Sequence, residues 1–147
     1  MTPPDPDYDT DFYAWTQAQA DALRAKDWAA LDLEHLAEEI DSLGKSDRRA
    51  LVSHLDRLLL HLLKWRYQPD KRSHSWSVTI DRERGTDIPE HLADNPGLRP
   101  RQRELFEAAY RLARADASRE TGLPENAFPI DCPFTPDEAM NTGFWPD

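Results

Sequence analysis

Apolar side chains recur at helical spacing through the middle of the chain. Between residues 51 and 63 they fall on one broad stripe when each residue advances about 100° around a helix. This pattern predicts a helix over about residues 46–67, ending where Gln68 precedes Pro69, because proline disfavours helical backbone in the residue before it. We expect the stripe to lie at the centre of the core. Its members, called here the leucine stripe, are Leu51, Val52, Leu55, Leu58, Leu59, Leu62 and Leu63.

Two further helices are predicted on the N-terminal side. The first covers about residues 10–26 and the second about 32–43. Gly44 marks the end of the second helix, although residues 32–67 fit one kinked helix equally well. We expect the apolar face of the second helix to pack on the leucine stripe. That face consists of Leu33, Leu36, Ala37, Ile40 and Leu43, and we expect Leu36, Ile40 and Leu43 to contact the stripe.

Prolines divide the C-terminal half. Pro89 lacks an amide donor and its ring clashes with the carbonyl one turn earlier, so a fourth helix over about 75–94 should break or kink between residues 85 and 87. A fifth helix is predicted over about 100–121. Residues 123–147 contain five prolines and are predicted to be a tail packed on the other helices, extended apart from a turn of helix after Thr135 and Pro136.

These segments together predict an all-α fold, because no strand pattern and no internal repeat accompanies them. The expected architecture is a small helical bundle of about four to five helices with an extended proline-rich C-terminal tail. A length of 147 residues suits a single helical domain over 1–147. Within it, residues 1–9 are predicted to be a flexible N-terminus.

Charge is divided unevenly along this acidic chain of net charge −10. Residues 1–44 carry a net charge of −9, residues 45–103 carry +5 and residues 104–147 carry −6. A basic middle third is consistent with an anionic partner. Internal pairing between a basic helix and acidic neighbours is the favoured interpretation, because the acidic total repels a polyanion and so disfavours nucleic acid.

Other features of the sequence indicate a cytoplasmic protein. Cys132 is the single cysteine, which excludes an internal disulfide and suits a reducing compartment. The N-terminus lacks the basic and apolar regions of a signal peptide. No apolar run approaches the roughly 20 residues of a membrane-spanning helix, so no membrane partner is predicted.

A basic and aromatic corner is predicted where the leucine-rich helix ends. Four cations and three large aromatics lie within residues 64–76, and aromatic and arginine side chains often anchor protein interfaces. The alternative is that Trp65 and Trp76 close the end of the bundle while the cations are solvated. The residues proposed for binding are Lys64, Arg66, Tyr67, Lys71, Arg72 and Trp76.

Several short segments have a specific order and spacing. They are Tyr8-Asp9-x-Asp11-Phe12-Tyr13-Ala14-Trp15, Leu36-Ala37-Glu38-Glu39-Ile40-x-Ser42-Leu43-Gly44, His61-Leu62-Leu63-Lys64-Trp65-x-Tyr67-Gln68-Pro69, Arg72-Ser73-x-Ser75-Trp76, Asn95-Pro96-x-Leu98 and Glu120-Thr121-Gly122-Leu123-Pro124. In these segments the chain resembles a bacterial family known as domain of unknown function number 29. The resemblance implies an all-α fold and no particular activity. Gly85 and Pro89 depart from the smoother helix that the family implies.

Two catalytic or metal-binding alternatives accompany the interaction hypothesis. Arg49 and His54 have the Arg-x4-His spacing of HEPN-type ribonucleases, in which arginine would stabilise the phosphorane and histidine would transfer protons. A bundle metalloprotein would instead use His35, Glu39 and His61. The alternative to a metal is a direct hydrogen bond between His61 and a glutamate of the preceding helix.

The favoured hypothesis is a non-catalytic helical interaction protein that uses no cofactor and binds a protein partner or itself. Acids of the second helix and bases of the third should pair where they are half-buried. The candidate acids are Glu38 and Glu39, and the candidate bases are His61 and Lys64.

Overall fold

Every regular element in residues 6–147, the part of the chain that this computed structural model describes, is helical, and no strand occurs there. This confirms the predicted all-α fold. Part of the flexible N-terminus predicted over residues 1–9 lies outside the described residues. The α-helices are α1 (Phe12–Arg24), α2 (Leu33–Tyr67), α3 (His74–Arg82), α4 (Ile88–Asp94), α5 (Gln102–Thr121) and α6 (Pro136–Met140).

The second and third predicted helices form one continuous helix, α2, of 35 residues. Gly44 does not end it, because glycine inside a helix costs only about 1 kcal/mol and no proline follows nearby. The expected packing of Leu36, Ile40 and Leu43 on the leucine stripe as a separate helix is therefore wrong. Ile40 and Leu43 are 67% and 69% exposed instead.

The chain divides into two compact units, Met1–Lys45 and Ser46–Asp147. In the first unit, Trp15 is buried and its indole donates to Asp32 Oδ2 at 3.1 Å. Gln19 joins the same corner, since it donates to the Ala30 carbonyl and accepts from the Asp32 amide. These bonds connect α1 to the start of α2 within the unit.

The Tyr8 ring is the other link inside the first unit. It stacks on the His35 ring at a centroid distance of 4.0 Å and meets Trp15 edge-on. Its hydroxyl donates to the Glu39 carboxylate, and this hydrogen bond raises the pKa of Tyr8 to about 12. Glu39 thus has a partner within its own unit.

The leucine stripe forms the centre of the second unit, as its periodicity predicted. All of its leucines are completely buried, and Val52 packs at the edge. Side chains from α3, α4 and α5 join the same cluster, with Phe128 and Phe134 from the C-terminal segment. No helix in the described residues is both long enough and apolar enough to span a membrane.

Pro89 produces a π-helical turn rather than a break. Over Glu83–Asp87 the helix widens, and the Ile88 amide donates to the Glu83 carbonyl five residues earlier. The wider turn accommodates the proline ring, which would clash with the carbonyl four residues before it in a regular α-helix. The predicted irregularity is present, and α3 and α4 continue on either side of it.

The π-turn also places a buried cation against the C-terminal segment. Arg84 is 2% exposed and donates to the Phe144 and Thr142 carbonyls at 2.7 and 3.1 Å. Its guanidinium lies 4.7 Å from the centre of the Trp145 ring. Burial lowers the pKa of Arg84 from its usual value. The turn of helix predicted after Thr135 and Pro136 is present as α6, and Thr135 forms a capping box at its start.

The central position of the leucine stripe leads to a stability prediction. Leu59 has no exposed surface, so Leu59→Ala should lower the free energy of unfolding by about 2–5 kcal/mol, through lost burial and the cavity left behind. Urea unfolding followed by circular dichroism measures this change. Leu112→Ala is the matched control, because Leu112 is 50% exposed on α5. Equal losses for the two variants would contradict the assigned core.

Candidate functional site

The predicted basic corner is partly neutralised by its own surroundings. Lys64 pairs with Glu120 at 3.3 Å, and its ammonium lies 4.7 Å from the centre of the Trp76 ring. Only 13% of the Lys64 side chain is exposed. The predicted pairing of this lysine with Glu38 or Glu39 is wrong, because Glu120 on α5 is its partner. Lys64 thus stabilises the bundle end.

Arg72 is likewise held within the second unit. It donates to the Trp65 carbonyl at 2.7 Å and to the Pro146 carbonyl at 3.2 Å, and its guanidinium lies over the Trp65 ring. Trp65 in turn packs on Trp145 at 4.7 Å. The corner therefore helps to hold the C-terminal residues.

The remaining residues of the corner differ in exposure. Arg66 and Lys71 are exposed, whereas Tyr67 is half-buried and meets Phe128 edge-on at 5.3 Å. The Arg66 guanidinium lies 5.6 Å from the Tyr67 ring centre. Arg66 and Lys71 thus leave only a small basic surface for a partner, and binding at this corner stays a prediction.

A second polar group surrounds Glu83 on the π-turn. Glu83 is 1% exposed. His54 Nδ1 lies 2.8 Å from Glu83 Oε2, and Arg57 donates to Glu83 Oε1 at 2.8 Å. His54 and Arg57 are one turn apart on α2, so they reach the same carboxylate. A carboxylate this deeply buried requires such partners, because an uncompensated charge is strongly destabilising.

Asp87 belongs to the same polar group. It is half-buried, and one of its oxygens, His54 and Glu83 offer three atoms that all lie within 4.8 Å of one another. Across the described residues the Asp87 side chain makes no hydrogen bond or ion pair. The His91 ring lies 6.0 Å from that of His54, and its Nε2 donates to the Asp47 carbonyl. We call His54, Glu83 and Asp87 the π-turn site.

Both residues of the ribonuclease hypothesis lie on α2. Arg49 is exposed and lies five residues before His54, which is the Arg-x4-His spacing itself. The cation that shares the Glu83 carboxylate with His54 is Arg57. A ribonuclease role for Arg49 and His54 stays a prediction.

The residues of the first metal hypothesis each have a partner of their own. His35 pairs with Asp32 at 2.7 Å, which raises the pKa of the imidazole. Glu39 accepts from the Tyr8 hydroxyl. His61 Nδ1 lies 2.7 Å from the Arg57 carbonyl, and burial lowers the pKa of its ring. A metal site at His35, Glu39 and His61 stays a prediction.

Two acidic side chains, Asp56 on α2 and Asp116 on α5, lie next to each other. Asp56 is hydrogen-bonded to Asp116, and its Oδ1 is buried without a hydrogen-bond partner in residues 6–147. Burial, followed by this hydrogen bond and the charge of Asp116, raises the pKa of Asp56 to about 7. Two carboxylates form such a bond only when one is protonated.

A cleft of about 720 Å³ lies along α5 and the C-terminal segment. Cys132 is one of its lining residues, and burial raises the pKa of its thiol to about 11. The thiol is therefore protonated at neutral pH, which makes it a poor nucleophile. Arg114 on the same wall is already bonded to the Phe128 carbonyl and Glu125.

Sequence patterns alone missed five of the residues in these polar groups, namely Arg57, Glu83, Asp87, Asp56 and Asp116. Glu83 and Asp87 sit near Pro89, and the helix irregularity that Pro89 predicts was the available signal. Asp56 interrupts the run of apolar residues in α2, which could have marked it as a residue needing a buried partner. Nothing in the sequence identified Asp116 as that partner, because the pairing depends on how α2 and α5 pack.

The chain is thus an all-α protein in which a widened helical turn carries two buried charged residues, Glu83 and Arg84. A family model matches residues 8–145, and the chain belongs to that family, the domain of unknown function DUF29. No curated protein and no solved structure matches the chain.

The Asp56–Asp116 pair gives a prediction for stability against pH. The pKa of Asp56 rises from 3.8 in the unfolded chain to about 7 in the folded one. Its contribution to stability is therefore fully present below pH 3.8 and is lost as the pH rises through 7. Asp56→Asn resembles the protonated acid, so this variant should lose less stability than the natural chain between pH 5 and pH 8.

Thermal unfolding across that pH range compares the two proteins. Effects from His35 and His61 are common to both and cancel in the difference. Asp70→Asn is the control, since Asp70 is exposed in a surface turn. Parallel stability curves for Asp56→Asn and the natural chain would show that the folded protein holds no extra proton at Asp56.

Proposed function

We propose that this protein is a non-catalytic interaction protein that binds a partner protein through its first unit. Ten large apolar side chains are exposed among residues 6–147, and seven of them belong to this unit. Concentrated apolar exposure is typical of surfaces that bind other proteins. The seven are Phe12, Tyr13, Leu23, Trp28, Leu33, Ile40 and Leu43.

Three of these residues form a continuous stripe along α2, and this stripe is the observation that supports the proposal. Leu33, Ile40 and Leu43 are 70%, 67% and 69% exposed. With the half-buried Leu36 they follow the 3-4-3 spacing of a coiled-coil seam. We call Leu33, Ile40 and Leu43 the exposed stripe. The surface that fits such a seam is the apolar face of a partner helix.

The charge around the exposed stripe supports a basic partner. Residues 1–44 carry a net charge of −9, and Glu34 and Glu38 are exposed on the same helical segment. A second copy of the chain would bring the same negative charge to the interface, and like charges disfavour association. The proposed partner is therefore a protein that offers a basic amphipathic helix. The same charge disfavours nucleic acid.

The supporting observations do not require a catalytic group. A cytoplasmic location is part of the proposal, because a single cysteine suits a reducing compartment. The corner at Arg66 and Lys71 offers a smaller surface, which is basic where the surroundings of the exposed stripe are acidic. The exposed stripe is the better candidate, since apolar burial contributes most of the favourable energy in protein association.

Replacing two residues of the exposed stripe should abolish partner binding without unfolding the protein. Ile40→Ser with Leu43→Ser removes apolar surface worth about 1.5–3 kcal/mol for each residue buried by a partner. We expect at least a tenfold loss of affinity for a labelled helical peptide with leucines at heptad positions and lysines elsewhere. Fluorescence anisotropy at several salt concentrations measures the affinity.

Two controls make the test specific. Val78→Ser with Leu112→Ser removes exposed apolar side chains from the second unit and should leave binding unchanged. A peptide with glutamate in place of lysine should bind more weakly if the acidic surroundings select the partner. Equal binding by both double variants would reject the exposed stripe. Light scattering measures whether the natural chain forms a dimer. A dimer that is lost in the Ile40→Ser, Leu43→Ser variant and kept in the Val78→Ser, Leu112→Ser variant would reject the basic partner and show self-association through the exposed stripe.

A further inference from the structure

We propose that the π-turn site binds a divalent transition-metal ion through His54, Glu83 and Asp87. These residues offer one imidazole nitrogen and two carboxylate oxygens, and the three atoms already lie within 4.8 Å of one another. Zinc binds such ligands at about 2.0–2.2 Å, which sets neighbouring ligand atoms about 3.4 Å apart in a tetrahedron. Small side-chain rotations bring the three atoms to that spacing.

The π-helical backbone at this site positions two of the proposed ligands. Glu83 and Asp87 are the first and last residues of the π-turn, and His54 faces them from α2. Single π-turns inside α-helices occur frequently at functional sites. Here the turn gathers two carboxylates beside one histidine, while Pro89 enforces the wider geometry.

Charge at the site favours a dication. Arg57 compensates one of the two carboxylates through its bond to Glu83 Oε1 at 2.8 Å, and Oε2 faces His54. Asp87 has no ion-pair or hydrogen-bond partner in the described chain. An ion-pair network of Glu83 with Arg57 and His54 explains the burial of Glu83 and leaves the position of Asp87 without a role. A bound metal ion would explain why His54, Glu83 and Asp87 lie together.

The donor set selects the kind of metal. Imidazole with carboxylate suits Zn²⁺ and Mn²⁺, whereas Ca²⁺ and Mg²⁺ prefer all-oxygen sites and Cu⁺ prefers sulfur. Three protein ligands leave a position for water or another ligand. Arg57 would act as a positioning residue that holds one oxygen of Glu83 and orients the other toward the ion.

Calorimetric titration of ZnCl₂ and MnCl₂ into tag-free protein, after dialysis against chelator, tests the site. We expect one ion per chain. Replacing a residue that only supports a metal ligand lowers metal affinity by about 10–100-fold. Because His54 and Asp87 are proposed as direct ligands, His54→Ala and Asp87→Asn should each lower the affinity for the ion at least tenfold. Asp87→Asn should fold normally because Asp87 has no partner to lose.

Matched controls separate this site from ordinary surface binding. Glu90→Gln removes an exposed acid three residues from Asp87, and His74→Ala removes an exposed histidine at the start of α3; neither should change the affinity. Substoichiometric Mn²⁺ should broaden the ring resonances of His54 and His91 before those of His74. Equal affinity for the natural chain, His54→Ala and Asp87→Asn, or no binding of either ion, would overturn the proposal and leave a structural ion-pair network.

Discussion

The long helix α2 continues past Gly44 without a break, and the apolar side chains before and after this point differ in burial. One helix of 35 residues carries two apolar stripes, of which one is buried and the other is exposed. The leucine stripe is completely buried inside the second unit, whereas leucines and isoleucine near the helix start are about 70% exposed. Because α2 continues past Gly44, the first stripe stays exposed on its own unit. This exposure is the observation behind the proposed interaction role.

Buried charge is the second organising feature, and it is concentrated at one wide helical turn. Glu83 and Arg84 are adjacent, almost fully buried, and directed to different partners. Glu83 meets two bases of α2, while Arg84 holds the carbonyls of Thr142 and Phe144. A single π-turn therefore connects the long helix on one side with the C-terminal segment on the other. Substitutions in this turn should affect both connections.

Periodicity predicted the parts of the fold that depend on apolar burial. The leucine stripe was identified because seven residues repeat at helical spacing, and burial of such a face outweighs local details. Pro89 predicted an irregularity at the right residues, since a missing amide and a steric clash are local properties. The form of the irregularity, a π-turn in place of a break, depends on packing around Glu83 and was not available from the sequence.

The candidate sites were harder to predict for a physical reason. Polar partners such as Asp56 with Asp116, or His54 with Glu83, are 60 and 29 residues apart, and their proximity follows from helix packing. The same limit explains the error at Lys64, whose partner is Glu120 on α5 rather than an acid earlier on α2. Sequence spacing assigns neighbours along one helix and gives no information about which helix lies opposite.

Buried ionic groups such as Glu83 are weak sources of stability. Replacing a buried ion pair by well-packed apolar residues is often neutral or stabilising, because desolvation offsets the attraction between the charges. The second unit already has a continuous apolar core, so its stability does not require a carboxylate with 1% exposure. The half-buried Asp87 adds a second carboxylate beside Glu83, and its side chain has no partner in the described chain. A bound cation would convert this unfavourable cluster into a favourable one, which is the physical argument for treating the π-turn as a site rather than as a defect of packing.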